Sequence, residues 1–456
     1  MEADIEALAA ETESPEAVSA VDAAPAETPV EAAAPEKKPN GFKNFMSTVG
    51  RGFVAFGKGT VKYLNNPEVS TRHNEPRRNV EFTLINAGMG FANNLITTKD
   101  IFQETIVIDL EEYISRIPEK GFMGLNADLD LSVLDFRFNS KKKGWGFGLS
   151  PVHINGGVDI RLPRSLLDMV ANGNGGGSNV SDDFIISGSV FYSFDASSHF
   201  DIKVAGKPLR IGVDPSFYIP LLYIPKSTVR YTLNTEDSVH GELDGKFNVY
   251  TPIDISGTID AGTIMSSGGV DFSLSAEYPL FTRLDVGTSI GHIPLVPASL
   301  GYGMESTLKG DIDIKNIGDG MKTYQNLDFS EFGELPKEYV FRPLRVDFYT
   351  LYRPLKSDII TIKPNIGFTV PMNGLDAFFN GALEVQFHIG KFMPGYLFNA
   401  YLSTGAEEGF WRHSIGMQLN LRAFELDIAA VAKSQDYLMS YQGSGMELSM
   451  AMKFGW

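Results

Sequence analysis

A chain of 456 residues with 43% hydrophobic side chains, 46 Gly and no Cys contains no run near the roughly 18 to 20 unbroken apolar residues of a membrane-spanning helix, which excludes a helical membrane protein. The absence of Cys excludes a disulfide framework and a thiolate metal site. The formal charge of −17 is unevenly placed, and its distribution divides the chain.

Residues 1–40 are mostly Ala, Glu and Pro, and eight Glu and two Asp against Lys37 and Lys38 give them a net charge of −8. So little apolar surface cannot offset chain entropy, so a disordered acidic tail is expected. Met1 is followed at once by acidic residues rather than a basic region and an apolar core, so no secretory signal is read here. An exported protein then requires that the numbering begin on a processed chain; a cytoplasmic protein is the alternative. In residues 41–75, Phe42, Phe45, Met46, Val49, Phe53 and Phe56 recur at three and four residues, with Lys43, Arg51, Lys58 and Lys62 between them. This is the pattern of a basic amphipathic helix, weakened by Gly50, Gly52, Gly57 and Gly59. Two placements fit it: on an anionic membrane surface, or packed on its own domain as a plug.

Beyond Arg78 the period becomes two. Leu129, Leu131 and Val133 alternate with Asp128, Asp130 and Ser132; Leu383, Val385, Phe387 and Ile389 alternate with Glu384, Gln386 and His388; Ile415, Met417 and Leu419 alternate with Gly416, Gln418 and Asn420. Only short pieces, such as 110–116 and 164–170, look helical. An antiparallel sandwich would show the same alternation, but several runs continue for about nine to eleven residues, the length of a tilted membrane-spanning strand. Reading back from the end, the expected connections alternate between long and short. KSQDYLMSYQ, STGAEEGFW and PMNGLDAFF read as long; Arg422-Ala423, GKFMPG and RPLKSD read as short; and the longest loop is expected over 309–341. Long loops at one rim and short turns at the other are the asymmetry of an outer-membrane barrel. The predicted fold is therefore all-β, a transmembrane antiparallel barrel of about fourteen strands over residues 76–456.

The chain ends GMELSMAMKFGW, with Met446, Leu448, Met450, Met452, Phe454 and Trp456 on one face and Glu447, Ser449, Ala451 and Lys453 on the other. Leu448, Met450, Met452, Phe454 and Trp456 resemble the carboxy-terminal assembly signal of bacterial outer-membrane β-barrel proteins, in which a terminal aromatic follows apolar residues at every second position. Ala451 in place of Gly is the one departure. The resemblance implies insertion by the barrel assembly machinery, outer-membrane lipid around the barrel, and both termini in the periplasm. The segment NVEFTLINAGMGFANNLITTKDIFQETIVIDLEEY, Asn79 to Tyr113, resembles the start of uncharacterised spirochaete outer-membrane proteins, which are similar in architecture to the long-chain fatty-acid transporter family. That likeness implies a barrel of about fourteen strands with an amino-terminal plug.

No GxSxG, HExxH or phosphate loop is present, the seven His lack ligand spacing, and no catalytic residue, cofactor, metal or nucleic-acid partner is expected. The inferred lumen face carries Arg345, Asp347, Glu384, Gln386, His388, Gln418, Glu425, Asp427 and Glu447. So many charges inside must be wet or paired, because a lone buried charge costs several kcal/mol. A channel or transporter for small or hydrophobic solutes ranks first. A tethering outer-membrane protein that uses its tail ranks second, and a soluble all-β cytoplasmic protein third.

Overall fold

A computed structural model describes residues 78–456 except 94–113, 116, 118–121, 141–143, 173–178, 235–238, 255–260, 282, 315–321, 330–331, 356–358, 372–376, 392–395, 408–409, 435–436 and 442–443. The acidic tail expected over 1–40 and the amphipathic segment over 41–75 lie outside the described residues. The strands in chain order are β1 (Val80–Asn93), β2 (Phe122–Ser140), β3 (Trp145–Pro163), β4 (Asn179–Val204), β5 (Lys207–Asn234), β6 (Val239–Thr251), β7 (Gly269–Phe281), β8 (Leu284–Val296), β9 (Ala298–Ile314), β10 (Lys322–Phe329), β11 (Gly333–Val340), β12 (Leu344–Tyr352), β13 (Ile360–Val370), β14 (Phe378–Lys391), β15 (Tyr396–Glu407), β16 (Phe410–Asn420), β17 (Phe424–Ser434) and β18 (Gly445–Gly455). Helix α1 (Arg164–Asn172) follows β3, α2 (Ala261–Ser266) follows β6, and α3 (Tyr437–Ser440) follows β17.

Fourteen strands close a ring by antiparallel pairing: β1 to β5 in order, then β7, β8 and β12 to β18, with β18 returning to β1. Closure leaves no wall strand with an unpaired edge, the condition a sheet must meet in lipid. An even count of alternating strands brings both ends of the barrel to one rim, here called proximal. Its turns are tight, as at Ala205-Gly206 and Arg422-Ala423.

At the opposite, distal rim the wall grows into an extension. β4 and β5 are 26 and 28 residues long. β5 pairs with β7 from Arg210 to Tyr218 and with β6 from Val229 to Asn234. Pro220 and Pro225 lie between these stretches, where a residue without an N–H lets the sheet divide. β6 then pairs with one edge of β9, and β10 and β11 with the other. The long loop expected over 309–341 is thus largely strand. Its sequence hid this because β10 and β11 stand beyond the apolar belt and carry no run of large apolar residues at period two. The long connection expected over 403–411 is likewise corrected: β15 runs to Glu407, β16 begins at Phe410, and two residues join them. The small residues that read as a loop belong to the ladder. Gly405 is one of them, and a Cβ there would lie 2.6 Å from the Gly381 carbonyl oxygen.

The two faces of the wall are inverted relative to a soluble protein. On β18, Glu447, Ser449, Ala451 and Lys453 are buried while Met446, Leu448, Met450 and Phe454 are exposed. Ile366 and Phe368 on β13, Leu383, Phe387 and Ile389 on β14, and Ile415, Met417 and Leu419 on β16 extend the exposed apolar band. The ten steps from Met446 to Trp456, at about 3.3 Å each and a tilt of about 40°, give a band about 25 Å tall, matching a hydrocarbon core crossed by strands. At its proximal edge stand Phe138 against Trp145 and Phe424 against Phe454, each pair with ring centroids 5.3 Å apart.

Candidate functional site

The carboxy-terminal seam comes first. The Asn79 and Val80 amides donate to the Trp456 oxygen at 2.8 and 3.2 Å, and the Trp456 amide donates to Val80 at 3.1 Å. The last residue is therefore still part of the β1–β18 ladder, while its side chain is 75% exposed on the apolar face. Leu448, Met450, Met452 and Phe454 share that face, Met452 half-buried.

On the inner face, polar residues join in tiers. Near the distal rim, Arg345 donates to Asp347 at 2.6 Å and to Glu407 at 3.3 Å. Arg412 lies 3.6 Å from Glu407 and donates to Glu447, while Lys433 stands 3.8 Å from Glu447 and donates to Asp128. In the middle tier, Glu384 accepts from Gln386 at 2.8 Å and faces Lys363 at 3.1 Å, and Tyr401 donates to Asp427 at 2.8 Å. Near the proximal rim, Asn399 lies 2.8 Å from His388 and donates to Gln418, which donates to Glu425 at 2.8 Å. Lys453 at 3.1 Å and Arg78 at 3.6 Å also face Glu425.

Several of these bonds skip strands. Arg345 on β12 reaches Glu407 on β15, and Lys433 on β17 reaches Asp128 on β2. Three strand spacings of about 4.8 Å separate each pair along the wall, roughly 14 Å, so these side chains reach across the intervening strands, the Lys433 ammonium lying over Gly90 of β1, 2.8 Å from where a Cβ there would stand. The charged interior on this side is held by ion pairs. Period two alone marks Lys363, Lys433 and Arg412 as inner residues; their partners come from strands distant in sequence, which local pattern does not reveal. Arg342 is of the same kind. It leaves the link between β11 and β12 to bind Asp271 with contacts of 2.6 and 2.8 Å.

Beside Arg342 the distal mouth also holds an apolar cluster. Phe191, Tyr218, Tyr223, Tyr250, Ala298, Leu300 and Val340 form a buried cluster with Leu335 packed on it, where β5 passes from β7 to β6. The Tyr218 hydroxyl donates to the Val340 carbonyl at 3.0 Å, and the Arg342 guanidinium lies 5.0 Å from the Tyr218 ring centre. Among the described residues no group of three or more His, Asp or Glu is placed to hold a metal ion.

Three inner tyrosines lie over glycines of the neighbouring strand: Tyr349 over Gly287, Tyr401 over Gly416 and Tyr218 over Gly269. A Cβ would fall 2.1, 2.0 and 2.4 Å from the respective rings. Gly287→Ala is expected to destabilise the barrel by about 1 to 3 kcal/mol through overpacking, because the Tyr349 hydroxyl is also held by Glu277 at 3.1 Å. The shift of the urea midpoint measures this, and Tyr349→Leu in the same chain should recover part of it. An unchanged midpoint for Gly287→Ala would show that the ring moves without cost.

Neither a protein-family model nor a curated relative matches the sequence. The chain is similar to solved outer-membrane proteins at low sequence identity. The toluene transporter TbuX of Ralstonia pickettii is 10% identical with a TM-score of 0.43, covering 90% of this chain and 98% of that one. The toluene transporter TodX of P. putida is 7% identical with a TM-score of 0.38, over 85% of this chain and 94% of that one. A FadL homologue of Pseudomonas aeruginosa is 9% identical with a TM-score of 0.37, over 90% and 98%.

Proposed function

We propose that the chain is an outer-membrane channel for small hydrophobic solutes, with the apolar cluster at the distal mouth as its solute-contacting surface. The observation that carries the reading is the aromatic cluster at the distal mouth of an otherwise polar inner surface. Ion-paired side chains line the inner wall on both sides, Arg345, Arg412 and Lys433 on one and His153, Asp195 and Arg342 on the other, and against them the distal mouth gathers Phe191, Tyr223, Tyr250 and Leu300 together. The apolar band and its aromatic edge support placement in a membrane, and absence of wall edges supports stability there. Uptake of a small aromatic hydrocarbon by intact Gram-negative cells expressing the chain should exceed that of cells without it and fall several-fold in Tyr250→Ala, while ion leakage through the barrel stays low. Uptake equal to that of empty cells would favour a structural, tethering role.

Residues 41–75 are assigned to the lumen or its proximal mouth as a plug, so deletion through Pro76 should raise ion conductance in planar bilayers. The deletion stops short of Arg78, which is buried and faces Glu425. Conductance unchanged by the deletion would remove the plug from the reading. Both termini are assigned to the periplasm, with the extension and α3 outside the cell. A tag at Ser14 should then be hidden on intact cells and one after Asp436 exposed; the opposite result would reverse the orientation.

A further inference from the structure

Helix α3, between β17 and β18, packs on β16 and β17 at the distal end of the apolar band. Its seat is the outer face, because Trp411 and His413 alternate with the buried Arg412 and Ser414 and continue into the exposed Ile415. Small outer residues make room: Ala406 and Ser434 are fully covered.

The rings interlock there. Tyr441 stacks on His413 with centroids 3.7 Å apart, and Tyr437 meets Trp411 edge-on at 4.8 Å. His413 is fixed at both nitrogens, 3.0 Å from the Thr404 hydroxyl and 2.6 Å from the Ser440 hydroxyl. The hydroxyls of Tyr437 and Tyr441 approach to 3.0 Å. Tyr437 and Tyr441 remain 41% and 59% exposed, so Tyr441 uses one ring face on His413 and offers the other.

We propose that this cluster binds the neutral sugar headgroup of an outer-leaflet glycolipid. Three features fit that class. The site stands at the distal edge of the band, about 25 Å from Trp456 along the membrane normal, the height of headgroups rather than acyl chains. A rigid aromatic face with hydroxyls at its rim matches a sugar ring, whose C–H face is apolar and whose edge is polar. Trp411, Tyr437 and Tyr441 bring no formal charge, and both ring nitrogens of His413 are taken by the Thr404 and Ser440 hydroxyls, so no free cation stands in the cluster to draw a phosphate or a carboxylate.

The proposal rests on the membrane reading and on α3 facing outward, and fails separately from both: a chain that is not a membrane barrel enters no vesicle of any composition. The full chain is inserted into vesicles of phosphatidylcholine alone, phosphatidylcholine with digalactosyl diacylglycerol, and phosphatidylcholine with phosphatidylglycerol, and its unfolding temperature is measured in each. At a galactolipid level about tenfold above its dissociation constant the midpoint should rise by about 2 °C. Phosphatidylglycerol should give no comparable rise. Tyr441→Leu should lose the galactolipid increment while keeping its midpoint in phosphatidylcholine. If that variant does not insert, Tyr437→Phe with Tyr441→Phe, which keeps both rings and removes both hydroxyls, should reduce the increment. No increment in the unmodified chain, an equal one with phosphatidylglycerol, or an undiminished one in the inserted variant overturns the proposal.

Discussion

Arg412→Met is expected to cost the folded barrel about 3 to 5 kcal/mol, because it leaves buried carboxylates without their main partner. The side chains of Arg412, Glu447 and Glu407 are 2%, 4% and 0% exposed. Removing the guanidinium leaves Glu447 with Lys433 at 3.8 Å and Glu407 with Arg345 at 3.3 Å, and both of those cations are already engaged, Lys433 by Asp128 and Arg345 by Asp347. The size of the cost comes from the stranded charge more than from the lost bond. Adding Glu447→Gln should therefore recover a large part of it, since removing both members of a buried pair is far cheaper than removing one. Urea titration with folded and unfolded forms separated by gel mobility measures both steps. A loss under about 1 kcal/mol, the range of exposed pairs, would mean that water reaches these groups and that the distal tier is an open, solvated surface.

What could be read from sequence, and what could not, follows from how far each structural cause reaches along the chain. The facing of β18 is legible because Met446 through Trp456 repeats at period two and the repeat is set by the strand itself. Closure into fourteen strands is approximately legible from strand length and turn spacing across β12 to β18, where strands are 9 to 14 residues long. The extension is not legible: once a strand leaves the membrane, neither face must be uniformly apolar, and GELPKEYV of β11 carries Pro336 and three charged residues like any surface loop. The ion pairs between strands are hidden for a different reason. Asp347, Glu425 and Glu447 can be assigned to the inner face by alternation, but that Glu447 meets Arg412 two strands away depends on the stagger and curvature of the closed wall. The aromatic cluster on α3 is hidden in the same way, since KSQDYLMSYQ does not reveal that it folds back onto Trp411 and His413.

Trp456→Ser together with Phe454→Ser is expected to abolish accumulation of folded barrel in cells, an effect larger than the stability lost. In thermodynamic terms the change is modest, because both side chains are exposed, Phe454 at 40% and Trp456 at 75%, and the ladder contacts of residue 456 run through backbone atoms that Ser retains. The proposed role of the two aromatics lies earlier. Until β18 is zipped to β1 the chain has two open edges, which cannot rest in lipid, and the resemblance of Leu448, Met450, Met452, Phe454 and Trp456 to the assembly signal assigns them to recognition while the barrel is still open. Met450→Arg separates the two effects. It leaves the terminal aromatics intact and puts a charge near the middle of the apolar band, so it should lower stability by about 2 to 4 kcal/mol while the protein still reaches the membrane. The test compares each variant in cells with the same protein refolded into detergent micelles without any assembly factor. The doubly substituted chain should refold nearly as well as the parent in micelles and be degraded in cells, whereas Met450→Arg should be weakened in both. Equal loss of the double variant in micelles and in cells would place the role of Trp456 and Phe454 in the stability of the closed barrel and withdraw the assembly assignment.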